Sequence, residues 1–249
     1  MSVNGSTPLL ELRDVSASYG PFKAIFGVSF TVRHGSVLAV LGSNGGGKTT
    51  VARLCCGLLA PTDGRIVFEG EDVTGRRPYR FARLGIAHAP EGRSVFASLT
   101  VDENLVLFFR QALGKKAVAD ATERAYAMFP RLGERKRQVA GSLSGGEQRM
   151  LTLARVLVEE PRLLIVDELS LGLAPVIVDD VYETLAKIRD TGTALMVVEQ
   201  HVRHALGLAD DVIVLTKGQC TYAGPAGDLG DLSDHLLARG TSDPTGDGR

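Results

Sequence analysis

The chain has 249 residues, about one and a half to two ordinary domains and enough for a substantial core without disulfides or metals. With 44% hydrophobic and 23% charged residues it is neither disordered nor fibrous, and no apolar run approaches the roughly 18 residues of a membrane-spanning helix. Lys plus Arg (28) nearly cancels Asp plus Glu (29), so bulk charge gives no reason to expect nucleic acid as a partner, and three cysteines make no disulfide framework. The start MSVNGSTPLL lacks the basic stretch and apolar core of a secretory signal, so a cytoplasmic, reduced setting is expected.

Leu9–Tyr19 and Ala24–Val32 read as extended segments around the turn formers Gly20 and Pro21. Ser36–Leu41 is a short apolar run ending at Gly42, the pattern of a strand buried on both faces. The next residues, Gly42-Ser43-Asn44-Gly45-Gly46-Gly47-Lys48-Thr49, satisfy G-x-x-x-x-G-K-[ST] after a strand and before a helix, the context that gives this pattern its meaning. Glycines let successive backbone N–H groups turn inward onto phosphate oxygens, and the helix dipole adds to them. Lys48 is expected to reach the β- and γ-phosphates, and the Thr49 hydroxyl to ligate Mg²⁺, with Thr50 beside it. The helix should run from Lys48 to about Leu59, stopped by Pro61 and the turn Thr62-Asp63-Gly64.

Arg65–Glu69 and Leu84–His88 read as short strands, and from Thr100 to about Gly141 the character is helical. Thr100 and Glu103 have the spacing of a capping box. Leu163–Val166 and Ala194–Val198 are again buried-strand runs, each followed by a helical stretch, which implies a mostly parallel sheet. The first ends in Asp167 and Glu168, at the carboxyl end of a strand where ligands of such sheets sit. Asp167 is the expected partner of Mg²⁺, and Glu168 the expected base for an attacking water. The residues from Gly240 onward are polar, rich in turn formers, and expected to fray.

Leu143-Ser144-Gly145-Gly146-Glu147-Gln148 lies between the phosphate loop and the acidic strand. Ser144 and Glu147 also have the spacing of a helix cap, and a helix N-terminus with N–H groups suits a phosphate. The stretch resembles the LSGGQ-type signature of ABC-transporter ATPases, and the likeness extends from about Leu9 to Arg239. That resemblance implies an α/β P-loop NTPase of ABC type: a mostly parallel sheet core, an antiparallel β subdomain and an inserted helical subdomain. It implies one ATPase domain over residues 1–240, with the Q-loop and helical subdomain at about 74–160, and a flexible tail over 241–249. Tyr19 occupies the place of the ring that stacks on adenine. Ser144, Gly145, Gly146 and Glu147 would close over ATP held by a second ATPase subunit, in a homo- or heterodimer. Leu171–Ala174 occupies the D-loop, with Ala174 where relatives commonly carry Asp.

Two further positions narrow the likeness. Glu91, in Pro90-Glu91-Gly92-Arg93, stands at the Q-loop glutamine and can still ligate a metal or orient water. The switch-histidine position falls on Gln200, with His201 one residue later. Together these resemble the ATPase of branched-chain amino-acid importers, with urea and amide importers sharing much of the pattern. The resemblance implies ATP and Mg²⁺, transmembrane permease subunits, a solute-binding protein, no nucleic acid, and a place on the cytoplasmic face of the cell membrane. Arg93 and Phe96 are expected near the permease contact. Arg110–Arg137, with eight basic and three acidic residues, is either a docking face or a solvated helical surface.

Overall fold

The computed structural model describes residues 7–92, 94–200, 202–232 and 235; the tail at 241–249, Arg93 and His201 lie outside the described residues. The chain opens with an antiparallel hairpin, β1 (Leu10–Tyr19) and β2 (Phe22–Val32), and then enters β3 (Val37–Gly42) and α1 (Lys48–Cys55). After β4 (Asp63–Phe68) and β5 (Glu71–Asp72) come α2 (Pro78–Arg83) and β6 (Ile86–Ala89). Four helices follow in one run: α3 (Val101–Ala112), α4 (Val118–Met128), α5 (Pro130–Glu134) and α6 (Gly145–Leu157). The chain then alternates through β7 (Leu163–Asp167), α7 (Pro175–Asp190), β8 (Ala194–Glu199) and α8 (Val202–Leu208), and enters the hairpin β9 (Asp211–Thr216) and β10 (Gln219–Pro225).

The strands form two sheets, one of order β2-β1-β4-β5 and one of order β10-β9-β3-β8-β7-β6. The first is antiparallel, and in the second only the β9–β10 edge departs from parallel pairing. Period-two alternation splits the central strands between two cores. Val37, Ala39 and Leu41 of β3, Leu164 and Val166 of β7, and Leu195 and Val197 of β8 join the core shared with α3, α6 and α7. Leu38 and Val40, Leu163 and Ile165, and Met196 and Val198 face the other way, onto the antiparallel sheet and α1. Burial on both faces explains why these strands are continuous apolar runs.

Helix α1 stops at Cys55, four residues before the expected Leu59. Gly57 takes a left-handed backbone (φ 68°), its N–H donates to the Leu54 carbonyl, and Leu58 N–H donates to the Arg53 carbonyl. That double closure is a Schellman motif, and it satisfies the last carbonyls before Pro61 can act. The β9–β10 hairpin is absent from the sequence expectation, although Val212–Leu215 is an apolar run like the other buried strands.

The Thr100 capping box is formed. Thr100 Oγ1 accepts from Glu103 N (3.1 Å), and Glu103 Oε2 accepts from Thr100 N (2.8 Å). Behind it Asn104, fully buried, donates to the carbonyls of Phe96 and Thr100, and its amide oxygen accepts from Phe96 N, fixing the loop into α3. Thr100→Ala should therefore lower stability by about 1 kcal/mol. Urea unfolding should show the midpoint falling with an unchanged slope.

Candidate functional site

The loop from Gly42 to Gly47 connects β3 to α1. A side chain at Gly42 would collide with the backbone carbonyl of Leu215 on β9, so only glycine lets the loop leave the sheet here. The loop closes with Gly46 N–H on the Ser43 carbonyl (3.0 Å). It is braced from outside: Gly218 N–H donates to the Gly46 carbonyl, and Phe26 N–H to the Gly218 carbonyl (both 2.9 Å). No side chain caps α1, whose N-cap is Gly47, so its first-turn N–H groups remain available to a ligand. A cavity of about 350 Å³ opens here, lined by Asn44, Gly45, Gly47, Lys48, Thr49 and Thr50 from the loop and α1. Lys23, Ala24 and Phe26 from the hairpin, Glu168, and Lys217 complete its wall.

Lys48 is buried, and its Nζ donates to the Ser43 carbonyl (3.2 Å) and pairs with Glu168 Oε1 (3.4 Å). Thr49 Oγ1 donates to Asp167 Oδ1 (3.4 Å). The two residues after the phosphate-loop glycines thus each meet one of the carboxylates at the end of β7, two strands away in the sheet. Glu168 itself has a left-handed backbone (φ 48°), a conformation that costs a non-glycine residue on the order of 1 kcal/mol or more. Burial pushes the Asp167 carboxyl up to about 6, and the charges of Glu168 and Glu91 add to that rise against the Thr49 hydrogen bond and Lys48. Glu91 is exposed on the bend after β6, close enough for its charge to be felt at Asp167. A buried carboxylate hydrogen-bonded to a hydroxyl is a pair of hard-oxygen donors that fits Mg²⁺.

Gln200 is exposed at the end of β8, the strand between β3 and β7. Tyr19 does not line the cavity. It is 40% exposed and its hydroxyl accepts from Arg53 Nη1 (3.3 Å), while Phe26, which sequence reasoning missed, does line it. Lys217 was missed too, because it belongs to the unplaced β9–β10 turn. Ser144, Gly145, Gly146 and Glu147 begin α6, and none lines this cavity. Ser144 and Glu147 form a capping box, with Glu147 Oε2 accepting from Ser144 N and Oγ (both 2.9 Å). Glu147 Oε1 also meets Arg135 Nε (2.6 Å). Ser144 and Gly145 face solvent.

The same helix α6 reaches back to the bend after β6: Arg149 Nη1 donates to the Gly92 carbonyl and Arg155 Nη1 to that of Ser94. Phe96, the other expected contact residue on this bend, is 51% exposed. Several cations of the basic stretch are paired within the chain. Arg124 meets Asp120 and Glu160, and Arg135 meets Glu147. No group of three or more His, Cys, Asp or Glu with metal-site geometry exists among the described residues, and no helix there is long and apolar enough to cross a membrane.

A sequence profile of the ABC transporter family matches residues 25–170. The chain is 40% identical over 213 residues to the high-affinity branched-chain amino acid transport ATP-binding protein BraG of Pseudomonas aeruginosa, covering 85% of this chain and 90% of that one. It is 33% identical over 222 residues to the probable branched-chain amino acid transport ATP-binding protein LivF of Archaeoglobus fulgidus, covering 89% and 94%. Among solved structures, an ATP-binding cassette of an ABC transporter in its ADP conformation matches with a TM-score of 0.78 at 26% identity, covering 88% of this chain and 91% of that one.

His88, on β6, has its imidazole pushed down to about 4 by burial, with the Arg53 charge adding. Unfolded His88 takes up its proton near 6.5, so the unfolded state binds more protons between the two values, and stability falls as pH is lowered from 6.5 to 4. Asp167, raised to about 6 from 3.8, works in the opposite sense over pH 6 to 3.8. The difference between the parent and His88→Gln isolates the histidine. Going from pH 7 to pH 5, the parent should lose on the order of 1–2 kcal/mol more than the variant in urea unfolding.

Proposed function

The chain belongs to the ABC transporter family and hydrolyses ATP, and from that premise we propose that it is the ATPase subunit of an importer, for branched-chain amino acids. The observation that carries the reading is the meeting of Lys48 with Glu168, and of Thr49 with Asp167, at the mouth of a glycine loop. The solute rests on the two relatives, both named as ATP-binding proteins of branched-chain amino acid transport. Urea or amide importers are the alternative within the same pattern, and a non-transport ABC ATPase is the alternative outside it.

The N–H groups of the loop and of α1 would hold the phosphates, while Lys48 exchanges its carboxylate partner for the γ-phosphate. Glu168 would take the proton of the attacking water, and Gln200 would donate to the γ-phosphate from the end of β8. Thr49 and Asp167, with Glu91 nearby, would hold Mg²⁺, whose chemistry is to neutralise charge on the phosphates. Tyr19 would meet the adenine.

Ser144 to Glu147 would complete the site on a second ATPase subunit, identical or related. Support for this comes from the exposure of Ser144 and Gly145 at the start of α6, away from the chain's own phosphate cavity. ATP bound by both subunits favours the closed pair, and hydrolysis removes that preference. Permease subunits and a solute-binding protein would supply the path and the solute selection, placing this chain on the cytoplasmic face of the membrane; no nucleic acid is involved.

Lys48→Ala should abolish hydrolysis and greatly weaken ATP binding. Glu168→Gln should bind ATP yet turn over about 10²–10⁴-fold more slowly, the usual contribution of a general base. Cells whose only copy is Glu168→Gln should fail to take up labelled leucine. Normal hydrolysis in both variants would remove the site, and normal hydrolysis without leucine uptake in the parent would remove the solute.

A further inference from the structure

Glu199, the last residue of β8, is 2% exposed and meets no cation within salt-bridge distance among the described residues. Both of its carboxylate oxygens grip one neighbour, Oε1 accepting from Ser170 N (3.0 Å) and Oε2 from Ser170 Oγ (2.7 Å), with the neutral Tyr182 hydroxyl also within its reach. Ser170, 3% exposed, lies two residues after Glu168. The same turn is tied to β8 once more, by Glu168 N–H on the Val198 carbonyl (2.9 Å). Between these ties the chain makes the left-handed step at Glu168 and closes with Leu171 N–H on the Glu168 carbonyl (3.3 Å).

Burying a carboxylate against neutral donors alone is expensive, and a serine hydroxyl could be satisfied by a backbone carbonyl at much smaller cost. A strained backbone at a reacting residue, in turn, persists only where its surroundings over-determine it. The two observations explain each other. We propose that Glu199 is a positioning residue, whose grip on Ser170 holds Glu168 in its left-handed turn and so keeps its carboxylate at the phosphate cavity. The grip also ties the residue before Gln200 to the segment leading into Leu171–Ala174, so that β8 and the Glu168 turn move as one piece.

This inference rests on Glu168 acting as the base, and the experiment separates the two. The full chain and its variants are assayed for steady-state hydrolysis with Mg²⁺ and ATP at high protein concentration, alongside fluorescent-nucleotide binding and thermal unfolding. Glu199→Ala should lower kcat about 10²-fold, the effect expected of misplacing a catalytic group by about 1 Å, while KM and nucleotide affinity stay within about threefold. Glu199→Gln, whose amide oxygen still accepts from Ser170 N–H, should recover most of kcat. Ser170→Ala, which removes one hydroxyl and is the variant that decides should Glu199→Ala not fold, should lower kcat about 5- to 10-fold. Added to Glu168→Gln, Ser170→Ala should cost nothing further, because residues acting through one group are not additive. Parental kcat in folded Ser170→Ala and Glu199→Ala beside a slow Glu168→Gln would overturn this inference alone, as would a multiplicative loss in the double variant. Parental kcat in Glu168→Gln would overturn the base and this inference with it.

Discussion

A buried ammonium must be matched by acceptors, and in this chain the match for Lys48 is the contact around which the site is organised. Its Nζ lies between the Ser43 carbonyl and the Glu168 carboxylate, with Lys48 and Glu168 side chains 4% and 12% exposed. Breaking one half of such a pair leaves a charge uncompensated, at a cost of several kcal/mol in a buried setting. The glycine loop, the start of α1 and the end of β7 are therefore joined through one ion pair as well as through the sheet. An arriving γ-phosphate offers Lys48 a better acceptor, and the carboxylate it displaces is then released beside that phosphate. Binding and the freeing of the base are thus one exchange of partners in the proposed mechanism.

The acidic side of the site is held in place from behind. Asp167 is the last residue of a strand buried on both faces, and its raised carboxyl reflects that burial together with the charges of Glu168 and Glu91. Glu168 departs from the strand in a conformation that ordinary residues avoid, with its N–H bonded to β8. The central sheet sets the two chemical sides of the site, since β3 delivers the glycine loop and β7 the carboxylates, with β8 hydrogen-bonded between them. By contrast, Ser144 and Gly145 sit exposed at the head of α6, where they can meet another molecule.

What the sequence made legible was whatever is local. Gly42–Thr49 carries its own backbone requirement, and Leu163–Glu168 carries burial and charge within six residues. The Thr100 and Ser144 capping boxes are likewise complete within four residues, and both form. The end of α1 was misplaced because Pro61 is a conspicuous stop, whereas Gly57, four residues earlier, acts through a left-handed turn that no single letter announces. The β9–β10 edge went unplaced, and with it Lys217 at the cavity wall and the brace from Gly218 to Gly46. The Glu199–Ser170 contact was out of reach for a different reason: its partners are 29 residues apart, and nothing in either neighbourhood specifies the other.

If Glu168 competes with phosphate for Lys48, removing its charge should make nucleotide bind more tightly even as hydrolysis stops. The direct measurement is the ATP dissociation constant of Glu168→Gln against the parent, by titration calorimetry with Mg²⁺ present and on a timescale short of turnover. Severalfold tighter binding in the variant is the predicted result. Equal or weaker binding in a folded variant would show that the Lys48–Glu168 pair does not guard the site, and the exchange of partners would have to be abandoned.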